Sequence, residues 1–266
     1  MYEILGQKKL LRRLDDITLS HFTIIHGEVG AGKHYISQYL ADKKNIDFVD
    51  VGSKIDDIRK LIADVIAYPW PRIYYINGDN LTLQAQNALL KLCEEPPTGC
   101  YIIIGSSKPN ILPTITSRAK ALYMNPYSYN ELVDYYEYKY KDEVEDVKLL
   151  CSVARTPGMI DTCINYGFNN IAKYAHKVYE NILKVTTGNS FKIGNEISFK
   201  EGEKGYPIDI FLSVFKEVIL QYFREDIEIN RKMLMYTNIA VRDLGVTGAN
   251  KKLIFDIWVL NIRSLR

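Results

Sequence analysis

Paired cysteines are missing from this 266-residue sequence: Cys93, Cys100, Cys151 and Cys163 form no C-x-x-C pair. That excludes the common zinc and dithiol signatures and makes a reduced, cytosolic chain the expectation. Long apolar runs are missing too. The longest stretch without a charge, Pro96–Ser107, has 12 residues, whereas a membrane-spanning helix needs roughly 20. The opening residues, Met1-Tyr2-Glu3-Ile4-Leu5-Gly6-Gln7-Lys8-Lys9, contain no apolar core of the kind a secretory signal requires. An excess of one charge is also absent. The 34 Lys and Arg stand against 32 Asp and Glu, a formal net charge of +2, so any surface for nucleic acid would have to be local. No internal repeat or low-complexity tract is visible.

What is present is ordinary for a globular protein: 47% hydrophobic and 25% charged residues. The length suggests about two domains and is ample for a buried core. The 20 tyrosines suggest no function by themselves. Short apolar runs alternate with helical patterns over the first 125 residues. Phe22–Ile25, Phe48–Val51, Ile73–Ile76, Tyr101–Ile104 and Ala121–Met124 read as strands. Leu5–Ile17, Lys33–Asp42, Ile55–Ala67 and Ala85–Cys93 read as helices. Such alternation predicts a parallel sheet covered by helices on both faces. After Pro126 the strand signal fades. Tyr129–Tyr140 and Val144–Ala154 read as helices, Thr186–Tyr206 as a loop, and Ile208–Tyr222 carries an apolar stripe at helical spacing.

Gly27-Glu28-Val29-Gly30-Ala31-Gly32-Lys33-His34 fits G-x-x-x-x-G-K between a strand and a helix. Its glycines let backbone N–H groups face a phosphate, the helix start adds positive potential, and Lys33 adds a charge. A glycine-rich turn carrying an exposed lysine is the plainer alternative. The residue after the lysine should be Ser or Thr, whose hydroxyl holds Mg²⁺, but it is His34. An imidazole prefers softer metals, so this position reads as a lost magnesium site or, less simply, as a substituted ligand. The third strand should end in acids that hold the metal and orient water. It ends in Ile76-Asn77, with Asp79 beyond it on the loop.

Four further stretches carry a family resemblance: Gly6-Gln7, Ile55-Asp56-Asp57-Ile58-Arg59-Lys60-Leu61, Gln84–Lys91 followed by Glu94-Glu95-Pro96-Pro97, and Leu112-Pro113-Thr114-Ile115-Thr116-Ser117-Arg118. In order and spacing they resemble the bacterial clamp-loader AAA+ family over about the first 125 residues, and within it the delta-prime branch. The cysteine zinc module of the gamma/tau branch has no counterpart between Asp42 and Ile55. The resemblance implies an α/β P-loop AAA+ core with a parallel sheet (1–125, RecA-like), a small helical lid (126–170) and a C-terminal all-α collar (171–266).

The same resemblance implies roles for residues. Arg118, with Ser117 before it, would be an arginine finger acting in trans on a neighbour's ATP; a surface arginine in a local ion pair is the alternative. Ser106 and Ser107 stand where the family senses the γ-phosphate, although serines after strands also serve local turns. Thr156-Pro157-Gly158-Met159 resembles the lid's S-P-G-[KR], with Met159 replacing the basic sensor. Ala119 replaces the family's cysteine after Ser-Arg, a packing change. No cofactor is required on this reading, and Gly27, Gly30, Ala31, Gly32, Lys33 and His34 could hold ATP or ADP without turnover. The implied partners are gamma/tau and delta subunits, with the sliding clamp and primer–template DNA reached through the complex. Lys8, Lys9, Arg12 and Arg13 form a basic helix face that is solvated or touches phosphates. Two rival functions are an active P-loop AAA+ ATPase, gamma/tau-like or another DNA-processing motor, and a small-molecule kinase. The kinase would leave Gln84–Pro97 and Leu112–Arg118 unexplained.

Overall fold

The computed structural model describes residues 6–15, 19–68, 70–108, 110–183, 191–200, 203–246 and 248–265. Five parallel strands form the main sheet in the order β2-β3-β4-β1-β5: β1 (Phe22–His26), β2 (Asp47–Val51), β3 (Arg72–Asn77), β4 (Cys100–Ser106) and β5 (Lys120–Tyr123). The helices between them are α1 (Lys8–Asp15), α2 (Lys33–Lys44), α3 (Ile55–Ala67), α4 (Leu83–Glu94) and the single turn α5 (Pro113–Thr116). Successive strand residues face opposite sides, and the core divides accordingly. Ile24, Tyr74, Ile76, Ile102 and Ile104 pack with Ile58, Leu61, Ala85 and Leu89 of α3 and α4. Ile25, Ile73, Tyr75, Ile103 and Leu122 pack with Leu10, Leu14, Ile36 and Leu40 of α1 and α2. A sheet buried on both faces is why the strands read as unbroken apolar runs.

Contacts divide the chain into two compact units, Met1–Tyr135 with Thr156–Met159, and Tyr136–Arg155 with Ile160–Arg266. The second unit holds the end of α6 (Tyr129–Lys139), then α7 (Val147–Ala154), most of α8 (Pro157–Asn165), α9 (Phe168–Ile182), α10 (Ile208–Gln221), α11 (Ile227–Leu244) and α12 (Lys251–Arg263). Helices of the expected lid and of the expected collar therefore share one unit. Its centre is aromatic. Trp258 stands edge-on to Phe215 at 5.1 Å and to Phe211 at 5.9 Å. Its indole N–H donates to Thr237 Oγ1 at 3.0 Å, so the buried polar atom is satisfied.

Several element bounds differ from the sequence reading. The helix expected from Val144 begins at Val147, because the Asp146 carboxylate accepts from Leu149 N at 2.8 Å and caps it. Within Thr186–Tyr206 the described residues form a 3₁₀ stretch, Phe191–Glu196, and the short parallel pair β6 (Ile197–Ser198) and β7 (Tyr206–Pro207). The strand expected at Ala121–Met124 stops at Tyr123. Leu5 and Ile17, the expected ends of the first helix, lie outside the described residues. Among the described residues no helix is long and apolar enough to cross a membrane.

Candidate functional site

The phosphate loop follows β1 at the carboxyl ends of the strands, where open α/β sheets bind ligands. Gly30 and Gly32 hold φ values of 76° and 92°, a region in which a side chain is strained. Gly32 caps α2 without a side-chain hydrogen bond, so the helix start leaves its amides to the loop's concave side.

Five consecutive loop carbonyls accept hydrogen bonds. Lys33 Nζ donates to Gly27 O and Glu28 O, both at 2.8 Å. The Thr156 hydroxyl donates to Val29 O at 3.0 Å, Gly158 N to Gly30 O at 2.9 Å, and the Tyr127 hydroxyl to Ala31 O at 2.8 Å. At the loop's entry Gly27 N donates to Ser106 O at 3.1 Å. Lys33 is only 8% exposed. Desolvation lowers the pKa of its ammonium, and the nearby Asp79 carboxylate opposes that shift. Tyr127 is pushed up to about 12, chiefly by burial and then by Glu131. Its ring lies over Gly6, where a Cβ would come within 2.8 Å of it, and the neighbouring Gln7 side chain bonds both N and O of Asn125.

The donors needed for magnesium are committed elsewhere or absent. His34 Nε2 lies 3.1 Å from Asp50 Oδ2, and its ring stands edge-on to Tyr75 at 5.0 Å and Phe48 at 5.3 Å. Ile76 is fully buried in the core. Asn77 Oδ1 accepts from Asp79 N at 3.1 Å. Asp79, in the 3₁₀ turn Gly78–Asn80, accepts from Ser107 N and Ser107 Oγ, each at 2.7 Å. Ser106, fully buried, turns its hydroxyl to Lys108 O at 2.6 Å. Of the two sensor-like serines, then, Ser107 bonds the Asp79 carboxylate and Ser106 serves its own turn. Met159 lies in the first turn of α8, its amide directed at Thr156, and its thioether offers no charge to a phosphate. The cradle fits an anion; the acids beside it are Asp79, held by Ser107, and Asp50, paired with His34.

Arg118 and Ser117 stand apart from this network, after α5. Ile115, fully buried, anchors that turn, and Arg118 N donates to its carbonyl. The Ser117 hydroxyl and Arg118 Nη1 both donate to Thr114 O, at 3.2 and 2.9 Å. Arg118 Nη2 lies 3.1 Å from Glu94 Oε1 at the end of α4, with the two side chains 41% and 53% exposed. An ion pair that open contributes about 0–1 kcal/mol to stability.

A family model described as DNA polymerase III, delta subunit matches residues 42–128. The DNA polymerase III subunit delta' of Haemophilus influenzae is 31% identical over 112 residues, covering 41% of this chain and 34% of that protein. The Replication factor C small subunit of Methanococcus maripaludis is 26% identical over 228 residues, covering 78% of this chain and 68% of that protein. The match to the delta-subunit family model is confined to residues 42–128, within the chain's first unit. Two solved structures show its fold: a DNA polymerase III gamma subunit-related protein of Thermotoga maritima (TM-score 0.54, 20% identity, 98% of this chain and 100% of that one) and the RuvB Holliday junction branch migration motor of the same organism (TM-score 0.51, 15% identity, 96% and 87%).

The loop glycines, Lys33 and His34 lie together, as their spacing in the sequence predicts. Sequence reasoning missed what surrounds them. Tyr127 reaches Ala31 across 96 residues and Thr156 reaches Val29 across 127, and neither contact leaves a local pattern. Asp50 as the partner of His34 had no signal either. Glu94 did have one: it is an acid at a helix C-terminus, where the helix dipole disfavours it. The basic face of α1, Lys8, Lys9, Arg12 and Arg13, is exposed opposite buried Leu10 and Leu14.

Proposed function

We propose that this chain is a delta-prime-type subunit that lacks ATP turnover of its own and supplies Arg118 to the ATP site of an adjacent ATPase subunit. The observation that carries this reading is the contrast between the two sites. At the chain's own phosphate loop the positions for magnesium ligands hold an imidazole paired with Asp50, a buried isoleucine and an asparagine bonded in its own turn. At Arg118 a guanidinium is held in place and exposed. In hydrolysis, negative charge develops on the γ-phosphoryl oxygens as the bond to ADP breaks and water adds. A fixed guanidinium lowers that barrier and can be worth on the order of 10³–10⁵ in rate.

On this reading the phosphate loop is a brace that could take ATP or ADP without turnover, since binding a phosphate draws Lys33 from its two carbonyls. The neighbours are gamma/tau-like and delta-like subunits. The sliding clamp and primer–template DNA are engaged through the complex, the helices after residue 171 serve as the collar, and 126–170 as the lid. The left-handed loop glycines and open helix start favour nucleotide binding, as a gamma/tau-like ATPase would need, but that alternative requires magnesium ligands at His34, Ile76 and Asn77. The experiment is Arg118→Ala in a reconstituted complex. The variant should fold and assemble, with ATP turnover down by about 10³ or more. Unchanged turnover overturns the reading.

A further inference from the structure

The acid that touches Arg118 is placed against local helix electrostatics. Glu94 is the last residue of α4 and is followed by Glu95 at the C-cap. The helix's carbonyl end carries partial negative charge, so a cation is favoured there and an acid is not. A locally disfavoured residue points to a use beyond the helix. Glu94 is also not buried: an exposed carboxylate paired with an exposed guanidinium does little for the fold. What the pair does is geometric. Thr114 O accepts from Nη1 at 2.9 Å, and the Glu94 carboxylate forms an ion pair with Nη2 at 3.1 Å, so groups on two helices flank the guanidinium and restrict its orientation. Nη1 donates to Thr114 O, and the exposed side of the guanidinium still offers N–H groups to an anion. The anchors themselves are rigid, because Leu89 of α4 and Ile115 of α5 are fully buried in one core cluster.

We infer that Glu94 is a positioning residue for Arg118: it holds the guanidinium in the orientation from which it meets the developing charge on a neighbouring subunit's triphosphate. The inference rests on the arginine-finger reading. A long, unrestrained side chain must be ordered in each turnover, whereas one already held meets the transition state with that ordering done. Removing the holder should therefore lower kcat and leave the affinity for ATP, set by the neighbour's own loop, nearly as it was.

The test uses the full complex, reconstituted with the unsubstituted chain, Glu94→Ala, Glu94→Gln or Arg118→Ala. Thermal unfolding of each chain and assembly by size exclusion are measured beside ATP turnover. Glu94→Ala should assemble, melt as the unsubstituted chain does, and lose about tenfold in kcat with KM within about twofold. Glu94→Gln keeps the reach but not the charge of the ion pair and should recover only part of the loss. Arg118→Ala should lose on the order of 10³. A crippled Arg118→Ala beside a fully active Glu94→Ala overturns the positioning role and leaves the finger standing. A lowered melting temperature or failed assembly in Glu94→Ala, with kcat per assembled complex unchanged, makes Glu94 a structural clasp and also overturns it. An unaffected Arg118→Ala removes the finger itself, and the inference with it.

Discussion

Lys33 would ordinarily be read only as a phosphate ligand. Here its ammonium also closes the loop on itself, bonding Gly27 O and Glu28 O from a position 8% exposed. Bonds from a buried cation to carbonyls are stronger than neutral ones and costly to leave unmade. Lys33→Met keeps most of the stem's volume and removes both bonds. It should destabilise the chain by about 1–3 kcal/mol, read as a lower urea midpoint at an unchanged slope. A Lys33→Met chain as stable as the unsubstituted one would show that the two bonds do not support the loop. The residue type and spacing were legible in the sequence, since only glycines and a lysine at those offsets build such a loop. The direction of the ammonium was not, because it depends on the three-dimensional path of the carbonyls.

At the scale of elements, the sheet was legible because its strands are buried on both faces. Ile73–Ile76 and Tyr101–Ile104 have no polar alternation to confuse with a surface strand, and the observed β3 and β4 extend them only by one or two residues at each end. The helix Ile55–Ala67 was read with the bounds the structure has. The start of α7 was misplaced because Val144 extends the apolar pattern, while the side chain of Asp146 fixes the end. The docking of Thr156–Met159 onto the phosphate loop was not legible, since it is a backbone contact between distant segments. It is close enough to test. A Cβ on Gly158 would stand 2.7 Å from Gly30 Cα and 3.0 Å from Gly30 O, and backbone cannot yield as a flexible side chain does. Gly158→Ala should break the bond from Gly158 N to Gly30 O and cost about 1–3 kcal/mol. For a chain of this length that is a fall of several degrees in melting temperature, with faster proteolysis near residue 156 as the second readout. A melting temperature unchanged within a degree would mean that the segment does not bear on the loop's stability.

Across the whole molecule each unit has its own apolar core, and the titratable groups buried in both lean the same way. Burial pushes Tyr74, Tyr75 and Tyr127 up to about 12 in the first unit and Tyr174 to about 12 in the second. The thiols of Cys93 and Cys163 rise to about 12, and those of Cys100 and Cys151 to about 11. In every case the folded chain favours the neutral form. The unfolded chain releases these protons first, near 9 for the thiols and near 10 for the phenols. Stability from these groups is therefore complete below about pH 8.5 and is lost as pH climbs toward 12. Lys33 runs the other way: its depressed pKa means that alkali relieves the cost of burying its charge. One lysine against many phenols and thiols leaves the net sign negative. At pH 10.5 a fully buried thiol such as Cys163 should forfeit about 2 kcal/mol and a buried phenol such as Tyr75 about 1. The urea midpoint, followed by far-ultraviolet circular dichroism, should be flat from pH 7 to 8.5 and fall steeply by pH 10.5. Cys163→Ala should make that fall shallower without removing it, because the phenols remain. A midpoint that holds to pH 10.5 would mean that these side chains reach water in the folded chain, contrary to the packing of both cores.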